Sequence, residues 1–207
     1  MALLYTSLLA VIVFSFLLVE GKDNSFLAIN RSYNSAFDLL FRFYTYLGDG
    51  LIWIPLFIYA LVYKKRFWIA IIASIIICTL LTQLFKRVVF PHEYRPMIIL
   101  GEKIRMVQGV EMMRNNSFPS GHTSTAFTLA LLLAFMIPGY FWVFFFPTVA
   151  FFVGYSRVYL AQHFVTDVAA GIIVGMISSY LSLLIWNYTR KKFFANDLFK
   201  PKDKKLV

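Results

Sequence analysis

The sequence predicts an all-α protein: a polytopic membrane helix bundle with six transmembrane helices, built as one domain over residues 1–207. Three observations predict it. Hydrophobic residues make up 60% of the chain and charged residues only 14%, against roughly 25% charged in a soluble domain. The mean hydropathy is +0.71. Apolar runs also recur at lengths near the ~20 residues that cross a hydrocarbon core of about 30 Å.

The first run, 3–19, reads as a spanning helix and not as a cleaved leader. No basic segment precedes it, and "LLVEGKD" after it offers no small-x-small cleavage site. Between it and the second run lies "NRSYNSAFDLLFRFYTYLGDG". Phe37, Leu40, Phe41 and Tyr44 recur there at helical spacing, with Asp38 and Arg42 off that face. Two readings fit: an interfacial amphipathic helix between the first two spans, or an extension of the second span. The second and third runs, 47–63 and 67–85, are separated by Lys64, Lys65 and Arg66. A long polar loop follows, then runs at 123–137, 140–155 and 168–188, and a basic tail, 189–207, carrying "RKKFFANDLFKPKDKKLV".

The net charge of +10 is not a nucleic-acid footprint, because about a third of the basic residues sit in that tail at a membrane face. The expected partner is the bilayer. Orientation follows from the density of Lys and Arg. Ten lie on each side of a six-span layout, but those beside the termini are concentrated in the 64–66 loop and the tail. The positive-inside rule then places both termini in the cytoplasm and the long loop at the periplasmic or outer face of the plasma (inner) membrane. Cys78 stands alone, so there is no disulfide framework, and a packed thiol is expected.

The informative residues are polar ones beside the membrane, where an ionisable group is costly without a partner or a task. "KRVVFPHEYRP", 86–96, leaves the third span. "SFPSGHTSTAF", 117–127, opens the fourth: Ser120 stands at a helix start, Gly121 permits close backbone approach, and His122 falls in the first turn. Such a helix start, with free N–H groups and the positive end of the dipole, suits an anion. "SRVYLAQHFVTDVAAG", 156–171, sets His163 and Asp167 four residues apart. If helical, they share a face, and the carboxylate can hold one ring nitrogen while the other stays free. Arg157 lies near enough to reach the same anion. Together these groups describe a phosphate site in which one histidine attacks phosphorus, the other protonates the leaving oxygen, and cations stabilise the equatorial oxygens. No cysteine cluster or carboxylate pair calls for a metal, so no metal or other cofactor is expected.

These clusters resemble the three signature motifs of the type 2 phosphatidic acid phosphatase (PAP2) superfamily, which also includes vanadium haloperoxidases. That pattern is Lys, six residues, Arg-Pro; then Pro-Ser-Gly-His; then Ser-Arg, five residues, His, three residues, Asp. "PSGH" and "SRVYLAQHFVTD" match in full. In the first motif Arg95-Pro96 is present, but Lys86 stands two residues further away than the pattern requires, which leaves Arg87 as a second candidate. The motif-bearing region spans 86–167. The resemblance implies that His163 is the nucleophile of a phosphohistidine, Asp167 its orienter and His122 the general acid, with Lys86, Arg95, Ser120, Gly121 and Arg157 binding phosphate. It further implies a metal-independent membrane lipid phosphatase acting on lipid A 1-phosphate, undecaprenyl diphosphate or phosphatidylglycerol phosphate. "LGDG", 47–50, resembles bacterial members, lipid A 1-phosphatases included. Head-group choice would fall to loop residues such as His92, Lys103, Arg105 and Arg114, each of which reads first as a plain solvated side chain. Two readings compete: a haloperoxidase-like member using the same cradle, and a non-catalytic lipid or anion transporter. Haloperoxidases are typically soluble, and a transporter would carry more polar residues within its spans.

Overall fold

The computed structural model describes residues 1–32 and 34–195, all of its regular structure helical. The helices are α1 (Ala2–Asn30), α2 (Ser35–Tyr44), α3 (Trp53–Tyr63), α4 (Trp68–Leu84), α5 (Pro96–Leu100), α6 (Gly121–Met136), α7 (Tyr140–Tyr159) and α8 (Val165–Ala195). The expected basic tail begins inside α8, and residues 196–207 lie outside the described residues.

Four helical stretches are long and apolar enough to span a membrane: Ala2–Asn30, Trp68–Val89, Tyr140–Tyr159 and Val165–Lys191. The pair Ser35–Gly48 and Gly50–Tyr63, bent by 59°, makes a fifth if counted as one span. The expected count of six is therefore corrected. The second predicted span is an 11-residue α3 that reaches membrane length only together with α2. The fourth, α6, has 16 residues and is about 24 Å long at ~1.5 Å per residue. The all-α membrane bundle stands, with large apolar side chains such as Leu4, Leu18, Phe141 and Tyr180 exposed on its outside. The protein is a multi-pass membrane protein.

The segment between the first two spans is a separate helix. Asn34 caps α2 by accepting from Ala36 N and Phe37 N, as expected of an Asx side chain at a helix start. Of its predicted apolar face, Phe41 and Tyr44 are covered by α7, where Phe41 packs 4.9 Å from the Tyr159 ring, while Phe37 and Leu40 remain exposed. Helix α1 continues past its predicted end and is broken at Gly21, whose φ of 74° favours a residue without Cβ. Its Leu9, Ala10, Val13 and Phe26 are buried in the core.

Helix α6 lies at the centre, packed against α4, α7 and α8, with nearly every side chain from Thr123 to Leu132 buried. Lipid tails are as apolar as leucine, so helices in a bilayer associate through close packing and hydrogen bonds. Small residues supply both. A Cβ on Gly171 would stand 2.8 Å from Thr123 Cβ, and one on Gly175 would stand 2.6 Å from Phe127 Cβ. These glycines, four apart on α8, let α6 approach backbone to backbone, and Thr128 Oγ1 donates across to Gly175 O at 3.4 Å. At the far end, Trp186 Nε1 donates to Arg66 O at 2.6 Å and stacks on Phe67, tying α8 to the 64–67 connection. The 85–120 and 160–164 loops therefore gather at the opposite end.

Because Gly175 has no room for a side chain, Gly175→Val should cost about 1–3 kcal/mol by overpacking, read as a lower midpoint of thermal unfolding in detergent. Gly50→Ala is the control, since its Cβ would meet nothing within 4 Å; it should stay within about 0.5 kcal/mol.

Candidate active site

Helix α4 does not stop at Leu84 but widens into a π-helical turn, Phe85–Val89, closed by Phe90 N donating to Phe85 O at 2.8 Å. This turn half-buries Lys86 and leaves Arg87 exposed. Lys86 Nζ donates to Asn116 O at 2.8 Å. After the bend at Pro91 the chain returns to Arg95, which precedes α5 with Pro96 at its first position. Arg95 is buried. Its Nε donates to Asn115 O at 3.0 Å, and its Nη1 donates to Gln162 O at 2.9 Å. Lys86 and Arg95 thus bind consecutive carbonyls despite the two extra residues between them.

The loop then runs into α6. Ser117 N donates to Glu93 O and Ser120 N to Asp167 O, both at 3.0 Å. Ser120 caps α6: its Oγ accepts from Thr123 N at 3.4 Å and from Thr123 Oγ1 at 2.9 Å. The reading of Gly121 as a close-approach glycine is refined, because a Cβ there would make only ordinary contact, 3.7 Å from Thr82 Cγ2. The protein's own packing does not require glycine at this position.

Arg157 ends α7, 7% exposed. Its Nη1 donates to Thr45 Oγ1 at 2.8 Å, while its Nε is buried without a hydrogen-bond partner. The chain turns through Ala161, at φ 57°, and Gln162 N and His163 N both donate to Arg157 O. His163 is 1% exposed and lies in this turn, not in a helix as its spacing suggested. Its Nδ1 is 3.3 Å from Asp167 Oδ2. Asp167 sits in the first turn of α8 and reaches back to Phe164 N at 3.0 Å, in the manner of a capping box. The same Oδ2 accepts from Ser117 Oγ at 2.5 Å, and Oδ1 accepts from Thr166 Oγ1 at 3.2 Å. Burial, and then the charges of Arg95, Arg157 and Lys86, hold the His163 imidazole well below its usual pKa of 6.5, which favours its neutral form.

His122, in the first turn of α6, is half-buried, with Nε2 4.0 Å from Asp49 Oδ2. All eight sequence-predicted site residues therefore gather around one end of α6. Sequence reasoning missed four more: Ser117, Gln162, Thr45 and Asp49. The signals available were Ser117 ahead of "FPSGH", Gln162 beside His163, and the carboxylate inside "LGDG". One head-group candidate is corrected: Arg105 bridges Asp38 at 2.9 Å, donates to Asn30 O at 3.0 Å and lies over the Tyr159 ring, so it clamps the loop to α1 and α2. His92, Lys103 and Arg114 are exposed. Among the described residues no group of three or more His, Cys, Asp or Glu is placed to hold a metal ion. Along α6 from Ala126 to Leu133, an apolar cavity of about 510 Å³ opens between α3, α6 and α7, lined also by residues such as Leu47, Leu56 and Val153.

The chain is 28% identical over 187 residues to a lipid A 4'-phosphatase of Porphyromonas gingivalis, covering 86% of this chain and 78% of that one. It is 28% identical over 176 residues to an undecaprenyl-diphosphatase of Sulfolobus acidocaldarius, covering 81% and 82%. The crystal structure of Aquifex aeolicus LpxE superposes with a TM-score of 0.71 at 30% identity, over 78% of this chain and 94% of that one. A phosphatidylglycerolphosphate phosphatase of Bacillus subtilis, at 22% identity and a TM-score of 0.56 over 92% and 98%, shares the fold. The PAP2 superfamily model matches residues 67–191, a stretch that holds every motif residue described above, and the chain belongs to that superfamily.

Proposed function

We propose that this protein is a membrane phosphatase that hydrolyses a lipid phosphate or diphosphate through a phosphohistidine on His163, at the outer face of the plasma membrane. One observation carries the reading: a buried histidine, held through Nδ1 by a carboxylate, shares its site with Lys86, Arg95 and Arg157. A neutral imidazole fixed at one nitrogen presents the lone pair of the other to phosphorus. The unpartnered Arg157 Nε is a donor left for an anion. The Ser120 and Gly121 start of α6 adds dipole and N–H groups for the same oxygens.

In this reaction His163 Nε2 bonds to phosphorus as the bond to the leaving oxygen breaks, and His122 gives that oxygen its proton. Water then attacks the phosphohistidine, losing a proton to His122, and free phosphate leaves. The three cations neutralise the charge on the equatorial oxygens, and no metal enters the reading. The apolar cavity along the middle of α6 suits a hydrocarbon chain. The names of the relatives support a lipid phosphate, with lipid A, undecaprenyl diphosphate and phosphatidylglycerol phosphate as the substrates to test. Outward orientation is supported by the basic 64–66 connection and the end of α8 lying away from the site.

Detergent-purified protein in EDTA should release phosphate from at least one of these lipids, and His163→Ala should lower the rate by about a thousandfold or more with expression retained. Residual activity within about tenfold of wild type would remove His163 from the nucleophile's role.

Lys86→Ala should cost roughly 100-fold in kcat, as for the loss of one donor to developing charge. The exposed Arg87, changed to alanine, should stay within about twofold; the opposite ranking would move the role to Arg87.

For sidedness, Gln108→Cys should react with a membrane-impermeant maleimide in intact cells, after outer-membrane permeabilisation where one is present. Lys64→Cys should react only after lysis. The buried Cys78 keeps the background low, and inverted labelling would place the site in the cytoplasm.

A further inference from the structure

The turn that joins α2 to α3 belongs to none of the signature motifs and lies outside residues 67–191, the stretch matched by the family model. It nevertheless forms a wall of the site. Thr45 Oγ1 receives Arg157 Nη1 at 2.8 Å. Gly48 is pressed so closely on α6 and α7 that a Cβ would stand 2.6 Å from His122 O and 2.7 Å from Val153 Cγ1. Such an approach fixes the next residue in place, and that residue is Asp49, whose Oδ2 lies 4.0 Å from His122 Nε2.

A general acid must hold a proton when the leaving oxygen departs. The setting of His122 works against this, because the imidazole is half-buried and Arg157, Arg95 and Lys86 all repel its charged form. Asp49 is the carboxylate that opposes them. At 4.0 Å it lies beyond hydrogen-bond range, so it favours the imidazolium through charge and leaves the N–H for the leaving oxygen. Its other oxygen, Oδ1, accepts from Leu51 N at 2.9 Å, which holds the carboxylate still.

We propose that Asp49 is a positioning residue for His122, holding its Nε2 toward the leaving-group oxygen and opposing the cations that disfavour its charged form, so that each histidine of the site has its own carboxylate. The proposal rests on the reading of His122 as the general acid. The P–O bond breaks as the N–H proton passes to the alkoxide, and neutral His122 then recovers a proton from the water that attacks the phosphohistidine. Asp49 gains and loses none.

Asp49→Asn tests this with little risk to the fold, since the amide oxygen can still accept from Leu51 N. With a lipid phosphate, whose alkoxide needs the proton, kcat should fall about tenfold or more while KM changes little. The alkaline limb of the kcat profile should move down by about one pH unit, because loss of the negative charge lets His122 deprotonate earlier. With p-nitrophenyl phosphate, whose leaving group departs without a proton, the first-turnover release of p-nitrophenolate by the variant should stay within about twofold of wild type. Asp49→Glu should recover part of the loss, and Asp49→Asn should add nothing to His122→Ala. Equal losses on both substrates, an unmoved alkaline limb, or an additive loss in the double variant would each overturn the proposal. If His122→Ala slows the first turnover, which reads phosphohistidine formation alone, equally on both substrates, the acid assignment fails and takes the proposal with it. If His122→Ala spares the first turnover of only the activated substrate but Asp49→Asn does not, the proposal fails alone.

Discussion

The carboxylate of Asp167 is the interaction on which the rest of the site depends. A buried carboxylate must be paired or fully hydrogen-bonded, and this one is held by Ser117 Oγ, Phe164 N, Thr166 Oγ1 and His163 Nδ1. Those partners come from three places: the loop before α6, the turn after α7, and the start of α8. One group therefore caps a helix, orients a histidine and pins a loop. The backbone repeats the connection, since Ser120 N donates to Asp167 O, so the starts of α6 and α8 are locked together. Removing the carboxylate would disconnect all of them at once.

The helix packing serves the same point. Gly171 lies one turn beyond Asp167 and admits Thr123, which in turn holds Ser120 Oγ. The close approach of α6 and α8 is therefore continuous with the anion cradle at their common end. Cations at that end are costly to bury, and much of their hydrogen bonding is to neutral oxygens. Arg95 and Lys86 take main-chain carbonyls and Arg157 takes a hydroxyl. Such partners fix each cation without cancelling its charge, which is what a site for an anion requires.

Local features of this architecture were legible in the sequence, and features that depend on distant segments were not. "PSGH" and "SRVYLAQHFVTD" are short, and their geometry is set by the helix starts that they contain. The displaced Lys86 was legible as a residue but not as a position, because a π-helical turn leaves no clear periodic mark. The count of spans failed at α6 for a different reason: the apolar run that marks it, 123–137, is itself short of the ~20 residues that cross a hydrocarbon core, and the helix it forms has 16. Its small and hydroxylic residues, Thr123, Ser124, Thr125, Ala126 and Thr128, mark instead its close packing against other helices. Arg105 looked like a free loop cation because Asn30 and Asp38, its partners, are about seventy positions away. Asp49 was hidden in the same way, in a turn that reaches His122 only once the chain is folded.

The two histidines differ in burial as their proposed tasks demand. A nucleophile has to be neutral, and depth together with three nearby cations keeps His163 so, with Asp167 supplying orientation through one nitrogen. An acid has to be recharged from solvent in every cycle, and His122, whose side chain is 29% exposed, keeps a route to water at the rim of the same cluster. Burying both would leave the second without a proton source, and exposing both would let the cations protect neither from protonation. The same cations thus favour the neutral form at one ring and oppose the charged form at the other. The difference has to come from what else each ring meets: a carboxylate wrapped in hydrogen bonds for His163, and an open, charged carboxylate across 4.0 Å for His122.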